Sequence, residues 1–266
     1  MRDLIEQQTR KTRFIGRIGA RRISLDAIHA RAPRALIGCS QATADSDRHL
    51  RMMSTDRRRL IALALPVAVP VAMVAGFAIG RDRLGDHGGY LAGFGLYWAA
   101  CAGLSISLLG RHRLRELFLD SRPRLGRPAV LGAALLIWPP VGAIATRFIP
   151  EIGYATPTMV ATIAGVALVN ALLEELLWRG VYITLWPRNP WLGVVWPAIG
   201  FGVWHLAPQV IHASAMGPIV YVVSASALGL SWGWVAWRTG SLRWVGVSHV
   251  LTDGSGLRNA LFFLGT

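Results

Sequence analysis

The chain has 266 residues, 53% of them hydrophobic and 16% charged, with a mean hydropathy of +0.42. A soluble domain carries about 25% charged residues, so an ordinary water-soluble globule is excluded. The net charge of +14 does not mark a nucleic-acid binder, because residues 1–59 alone hold 14 basic and 6 acidic residues and most of the remainder sits in short connections between apolar blocks, the distribution of topology signals and anionic-headgroup contacts.

Residues 1–59 are polar and basic. Their start lacks the apolar core of a secretory signal, so no cleaved leader is expected. Leu4, Ile5, Phe14, Ile15 and Ile18 could form the apolar side of a surface helix. Met52 and Met53 precede TDRRR and the first apolar block, and either is an alternative start. The two cysteines, Cys39 and Cys101, fall in different environments and suggest neither a disulfide framework nor a nucleophile.

The first apolar span is residues 60–80, 21 residues without a charge, enough helix for a hydrocarbon core of about 30 Å. Pro66 and Pro70 are tolerable in such a helix. Further spans follow at residues 89–110, at 129–146 with a Pro139-Pro140 kink, at 158–185, at 191–210 and at 218–237. Two shorter apolar pieces end the chain, one running to Leu251 and one at residues 257–265. The connection 111–127 carries six arginines against Glu116 and Asp120, and Arg188, Arg238 and Arg243 follow on the same set of loops. The alternate loops are balanced or uncharged, which places the N-terminus in the cytoplasm. Trp186, Trp191, Trp196, Trp234 and Trp237 stand near span ends, as interfacial anchors or as packing between helices.

Charge inside these spans is the functional signal. NALLEELLWRG puts Glu174 and Glu175 in a long apolar helix, where each charge costs roughly 2.5–3.5 kcal/mol on insertion scales. Glu175 and Arg179, four apart, share a face and can pair. Glu174 points about 100° away, with Asn170 and Trp178, and is left for chemistry. IGFGVWHLAP brings His205 into the fifth span, with Gly200 and Gly202 allowing close helix approach. VGVSHVLTDG brings His249 and Asp253, again four apart. Three separate apolar segments thus supply a carboxylate base, histidines and further donors. An activated serine or cysteine arrangement and an HExxH signature are absent.

EELLWR, FGVWH and HVLTD, in this order on successive apolar segments, resemble the three motifs of the CPBP family, the CAAX-protease and bacteriocin-processing intramembrane endopeptidases that include the Rce1-type proteases. The resemblance covers residues 158–264, roughly. It implies that Glu174 activates a water, that His205 helps orient it, and that His249 serves the oxyanion side. Glu175 and Arg179 support the first motif. Asp253 stands where the family most often has asparagine, and an ionised aspartate cannot donate to an oxyanion.

The expected protein is an all-α, polytopic transmembrane bundle of seven to eight membrane segments, with a basic cytoplasmic segment over residues 1–59 and a membrane domain over 60–266. Its expected activity is endopeptidase cleavage of a membrane-associated protein or peptide in the inner (plasma) membrane. The alternatives are a non-catalytic scaffold or bacteriocin-immunity protein of the same fold, and a proton-coupled transporter, against which the chain shows no inverted repeat of broken helices. No cofactor is expected. If zinc is used, Glu174, His205 and His249 form the ligand set.

Overall fold

The computed structural model describes residues 54–119 and 125–265, which form helices and their connections, with no β-strand among the described residues. Most of the basic segment at residues 1–59 therefore lies outside the described residues.

Helix α1, Thr55–Leu109, begins where Ser54 Oγ accepts from the Arg57 amide at 3.3 Å, a side-chain cap for an otherwise unpaired donor. Its 55 residues would reach about 80 Å as one rod. Instead it breaks at Gly85, whose φ of 73° and ψ of 176° suit a residue without a Cβ. The chain then doubles back. Gly80 and Gly89 pack backbone to backbone, and a Cβ at Gly89 would overlap the Arg81 main chain. Phe77 lies edge-on to Tyr90 and Phe94, with ring centroids 6.0 and 5.6 Å apart. Thus α1 is a hairpin with arms over residues 55–84 and 86–109. Gly89→Ala is expected to destabilise it by about 1–3 kcal/mol through overpacking. Gly95→Ala, which meets open space, should leave the melting temperature in detergent unchanged or slightly raised. Equal effects of the two substitutions would refute the tight crossing.

Helix α2, Arg111–Leu119, lies within the arginine-rich connection and buries Leu114 and Leu117. Helix α3, Ala129–Ala143, continues through a widened turn, Ile144–Phe148, towards Tyr154. Helix α4, Pro157–Glu175, is capped by Thr156, whose hydroxyl accepts from the Met159 amide at 3.2 Å. It runs through a widened turn, Leu176–Val181, into Tyr182–Leu185. Helix α5 comprises Trp191–Val195 and Trp196–Trp204. Helix α6 is Pro218–Thr239, closed by Gly240 at φ 66°. Helices α7, Arg243–Gly254, and α8, Asn259–Leu264, end the chain.

Prolines inside α1 and α3 help fix which helices touch. Pro66 has no N–H to offer the Ala62 carbonyl, and the Tyr182 hydroxyl of α4 donates to that carbonyl at 2.8 Å. Pro140 likewise leaves the Leu136 carbonyl unserved, and Ser248 of α7 donates to it at 2.7 Å. Freed carbonyls in an apolar medium must find such donors. Gly200 of α5 lets that helix meet Pro66 and Trp178, and Gly202 lets it meet Ser226 of α6.

Polar ends pair in two groups. Arg59 donates to the Leu185 carbonyl at 3.3 Å, Arg238 to the Arg127 carbonyl at 2.7 Å, and the Leu242 amide to the Leu117 carbonyl at 2.8 Å. At other ends, Arg81 donates to the Val210 carbonyl at 2.9 Å and the Arg258 amide to Glu151 at 2.9 Å. Between them Trp178, Trp204, Trp232, Tyr97 and Tyr182 are fully buried. Outward faces keep Val67, Val71, Ile137, Leu168, Ile219 and Val223 exposed, an apolar exterior that suits lipid and not water. Of the tryptophans near span ends, Trp191 is 60% exposed. Trp196 instead donates to the Leu63 carbonyl at 3.0 Å, and Trp234 and Trp237 pack beside Arg238, so several of these rings serve packing.

Among the described residues, four helices are long and apolar enough to cross a membrane: Thr55–Leu109, Ala129–Tyr154, Pro157–Leu185 and Pro218–Thr239. This is fewer than the seven to eight segments expected from the sequence. The hairpin counts once, and α7 with 12 residues is only about 18 Å long.

Candidate active site

Consecutive residues on a helix diverge by about 100°, and the two glutamates of α4 use that divergence. Glu175 turns into the protein. Its Oε1 lies 2.9 Å from Arg179 Nη1 and 2.8 Å from His249 Nδ1. All three side chains are buried. The Arg179 guanidinium sits 4.2 Å over the Phe201 ring and 5.3 Å from Trp232, contacts that offset part of its desolvation. Trp232 also stacks on His249 at 4.1 Å and donates to Ser248 at 3.0 Å. The imidazole is therefore fixed from both faces of the motif: by a carboxylate at Nδ1 and by an indole against its ring.

Glu174 turns the other way. Its Oε1 accepts from the Tyr97 hydroxyl at 2.8 Å, and its Oε2 from Asn170 Nδ2 at 3.0 Å. His249 Nε2 lies 3.4 Å from the same Oε2 and 3.5 Å from Asp253 Oδ2. Asn170 Nδ2 also donates to Asp253 Oδ2 at 3.0 Å. A second layer holds these groups. Trp178 donates to the Tyr97 oxygen at 2.8 Å, Trp98 donates to Asn170 Oδ1 at 2.9 Å, and Trp204 stacks on Tyr97 at 3.4 Å. With its tyrosine, amide and imidazole neighbours, Glu174 is held in one rotamer, as a reacting group must be.

A cavity of about 560 Å³ reaches Glu174. Asn170, His205, Gln209, Tyr221 and Asp253 line its polar wall, and Tyr90, Phe94, Phe262 and Phe263 an aromatic one. Its rim includes Thr146 and Ala213, Ala215 and Met216, all exposed, beside the end where Arg81 meets Val210. His205 faces this space, with Nδ1 2.6 Å from the Phe201 carbonyl. That bond leaves Nε2 as the ring atom available to another partner.

The structure thus gathers Glu174, His249 and Asp253 directly, with Glu175 and Arg179 behind His249, and brings His205 to the same cavity. The ring in contact with Glu174 is that of His249. The donor atoms of Glu174, His249 and Asp253 lie within 4.8 Å of one another, so the grouped ligand set has Asp253 in place of the His205 expected from the sequence. One imidazole and two carboxylates suit a divalent metal by type. They also satisfy one another here, through Asn170 and His249 Nε2.

Tyr97, Trp98, Asn170, Trp204 and Trp232 were not assigned site roles by motif reading. A signal existed for the first two: a tyrosine and a tryptophan side by side in mid-span carry polar atoms that lipid cannot satisfy. His212 stacks on Phe262 at 4.1 Å at the cavity edge.

No curated protein and no solved structure matches the chain. One family model does, described as type II CAAX prenyl endopeptidase Rce1-like, over residues 156–255. That stretch holds Glu174, Glu175, Arg179, His205, His249 and Asp253, every residue of the cluster that the three motifs singled out. Over residues 156–255 the chain is similar to the Rce1-like CAAX prenyl endopeptidases.

Proposed function

We propose that the protein is an intramembrane endopeptidase in which Glu174 activates the water that attacks a peptide bond. The observation that carries this is a cavity among long apolar helices that ends on a buried, fully oriented carboxylate. In the attack, Glu174 takes a proton from water as its oxygen bonds to the scissile carbonyl carbon. The proton then passes to the departing amine nitrogen as the C–N bond breaks. His249, held at Nδ1 by Glu175, offers Nε2 to the reacting centre, and His205, whose Nδ1–H donates to the Phe201 carbonyl, offers Nε2 as an acceptor to the attacking water. Asn170, whose amide donates to both Glu174 and Asp253, orients the two carboxylates. The substrate is a membrane-associated protein or peptide, and the catalytic core spans residues 158–264.

The same reading extends to topology. Counting both arms of α1 and α3 to α7 gives seven crossings, with α8 packed inside one end. Arginine-rich ends, with Arg57–Arg59, Arg115, Arg188 and Arg243, then share the cytoplasmic side with the N-terminus, and the cavity rim opens on the other. In a background free of Cys39 and Cys101, Ala215→Cys should react with an impermeant thiol reagent on intact cells and Arg115→Cys should not. The reverse pattern would invert the topology.

Purified protein should cleave members of a panel of membrane-peptide substrates, and its activity should survive a strong chelator. Activity lost to the chelator and restored by zinc would convert the site to a metal centre on Glu174, His249 and Asp253. A parent protein inactive on the whole panel would favour the non-catalytic scaffold.

A further inference from the structure

On the exposed side of α7, away from the cavity, runs an apolar groove of about 410 Å³. Its walls are Leu168 and Leu172 of α4, Phe118 of α2, and Val247, Val250 and Leu251 of α7. Gly246 makes the floor: a Cβ there would lie at ordinary contact distance, 3.8 Å, from both Leu172 and Phe118. At one end stands Arg243, an exposed residue that also lines the groove. Positions 243, 246, 247, 250 and 251 form one face of α7 at the three- and four-residue spacing of a helix. From Arg243 to Leu251 the groove extends about 12 Å, the length of an acyl segment and not of a helix.

We infer that this groove binds one anionic phospholipid, its acyl chain along Leu168, Leu172, Val247 and Leu251 and its phosphate against Arg243. Charge complementarity chooses the occupant. Arg243 has no ion-pair partner among the described residues, whereas Glu116, the acid within α2, is taken by Arg113 at 2.8 Å and His112 at 3.4 Å. Arg115, three residues before Phe118 on the same face of α2, is also exposed and unpaired among the described residues. The apolar walls exclude a free phosphate ion as the main ligand, and the arginine distinguishes an anionic headgroup from a zwitterionic one. The groove backs directly onto the helix whose opposite face carries Ser248, His249 and Thr252 inside the protein, so the bound lipid braces the element that presents the imidazole.

The test needs no cleavable substrate and so stands apart from the proteolytic reading. Full-length protein in neutral detergent is titrated with phosphatidylglycerol, phosphatidylcholine of the same chains, or glycerol phosphate, and read by melting temperature and by lipid retained in native mass spectrometry. Phosphatidylglycerol is expected to raise the melting temperature saturably and to remain at one per chain. Phosphatidylcholine should bind about fivefold more weakly, the effect of one interfacial arginine, and glycerol phosphate should do nothing. Arg243→Gln should erase the preference between the two lipids. Gly246→Leu, which fills the floor, should abolish retention of both. Equal binding of the two lipids by the parent protein, or an undiminished preference in Arg243→Gln, would overturn the assignment. A response to glycerol phosphate equal to that of the lipid would assign the site to a free phosphate instead.

Discussion

Glu174→Gln is expected to lower the turnover rate by about 100- to 10,000-fold, the usual worth of a positioned general base, with little change in substrate affinity. The side chain keeps its shape, and its amide oxygen can still accept from Tyr97. At the other atom an NH2 group replaces an acceptor and meets Asn170 Nδ2, itself a donor. Asn170 retains Asp253 as an acceptor, so the conflict is partly relieved and the fold should survive. The loss should therefore appear in kcat and not in KM or melting temperature. Tyr97→Phe separates base strength from base position. It removes one donor from Glu174 and leaves Trp178 Nε1 without its acceptor, and it should reduce both turnover and stability. A Glu174→Gln protein that cleaves at nearly the parent rate would remove Glu174 from the mechanism.

The opposite directions of the two glutamate side chains were legible in the sequence because a helix has a fixed angular period. Residues four apart meet, so Glu175 finds Arg179, Glu174 finds Asn170, and His249 approaches Asp253. Arrangement between helices was not legible. Nothing in the spacing of FGVWH and HVLTD says which histidine reaches Glu174. That is settled by Trp232 stacking on His249 and by Ser248 docking to the carbonyl that Pro140 leaves free. The hairpin of α1 was readable only as two spans with charged residues between them. Its tight crossing depends on Gly80 and Gly89 coming into register from opposite arms. Tyr97 and Trp98 belong to the same class of long-range pairing: the sequence shows two polar atoms in need of partners, and only the folded bundle shows that the partners are Glu174 and Asn170.

Breaking the buried pair from one side should be the largest stability effect in the protein. Glu175 carries a single oxygen, Oε1, that serves both Arg179 and His249, and Glu175 and Arg179 are at most 1% exposed. Glu175→Gln leaves the guanidinium between Phe201 and Trp232 with no counter-charge, at an expected cost of about 3–5 kcal/mol. Arg179→Met strands the carboxylate in the same way, although His249 can still donate to it, so its cost should be somewhat smaller. The double substitution Glu175→Gln with Arg179→Met removes both charges and should recover much of the lost melting temperature, because neither charge is left buried without its partner. It should not recover turnover, since His249 Nδ1 then faces an amide in place of a carboxylate and loses the partner that fixes its proton. Melting curves and cleavage rates for the four proteins form a double-mutant cycle. Stability restored without activity assigns Glu175 to the positioning of His249. Stability and activity restored together would show that the pair only fastens helices. Additive losses of stability would mean that the 2.9 Å contact is not the source of the coupling.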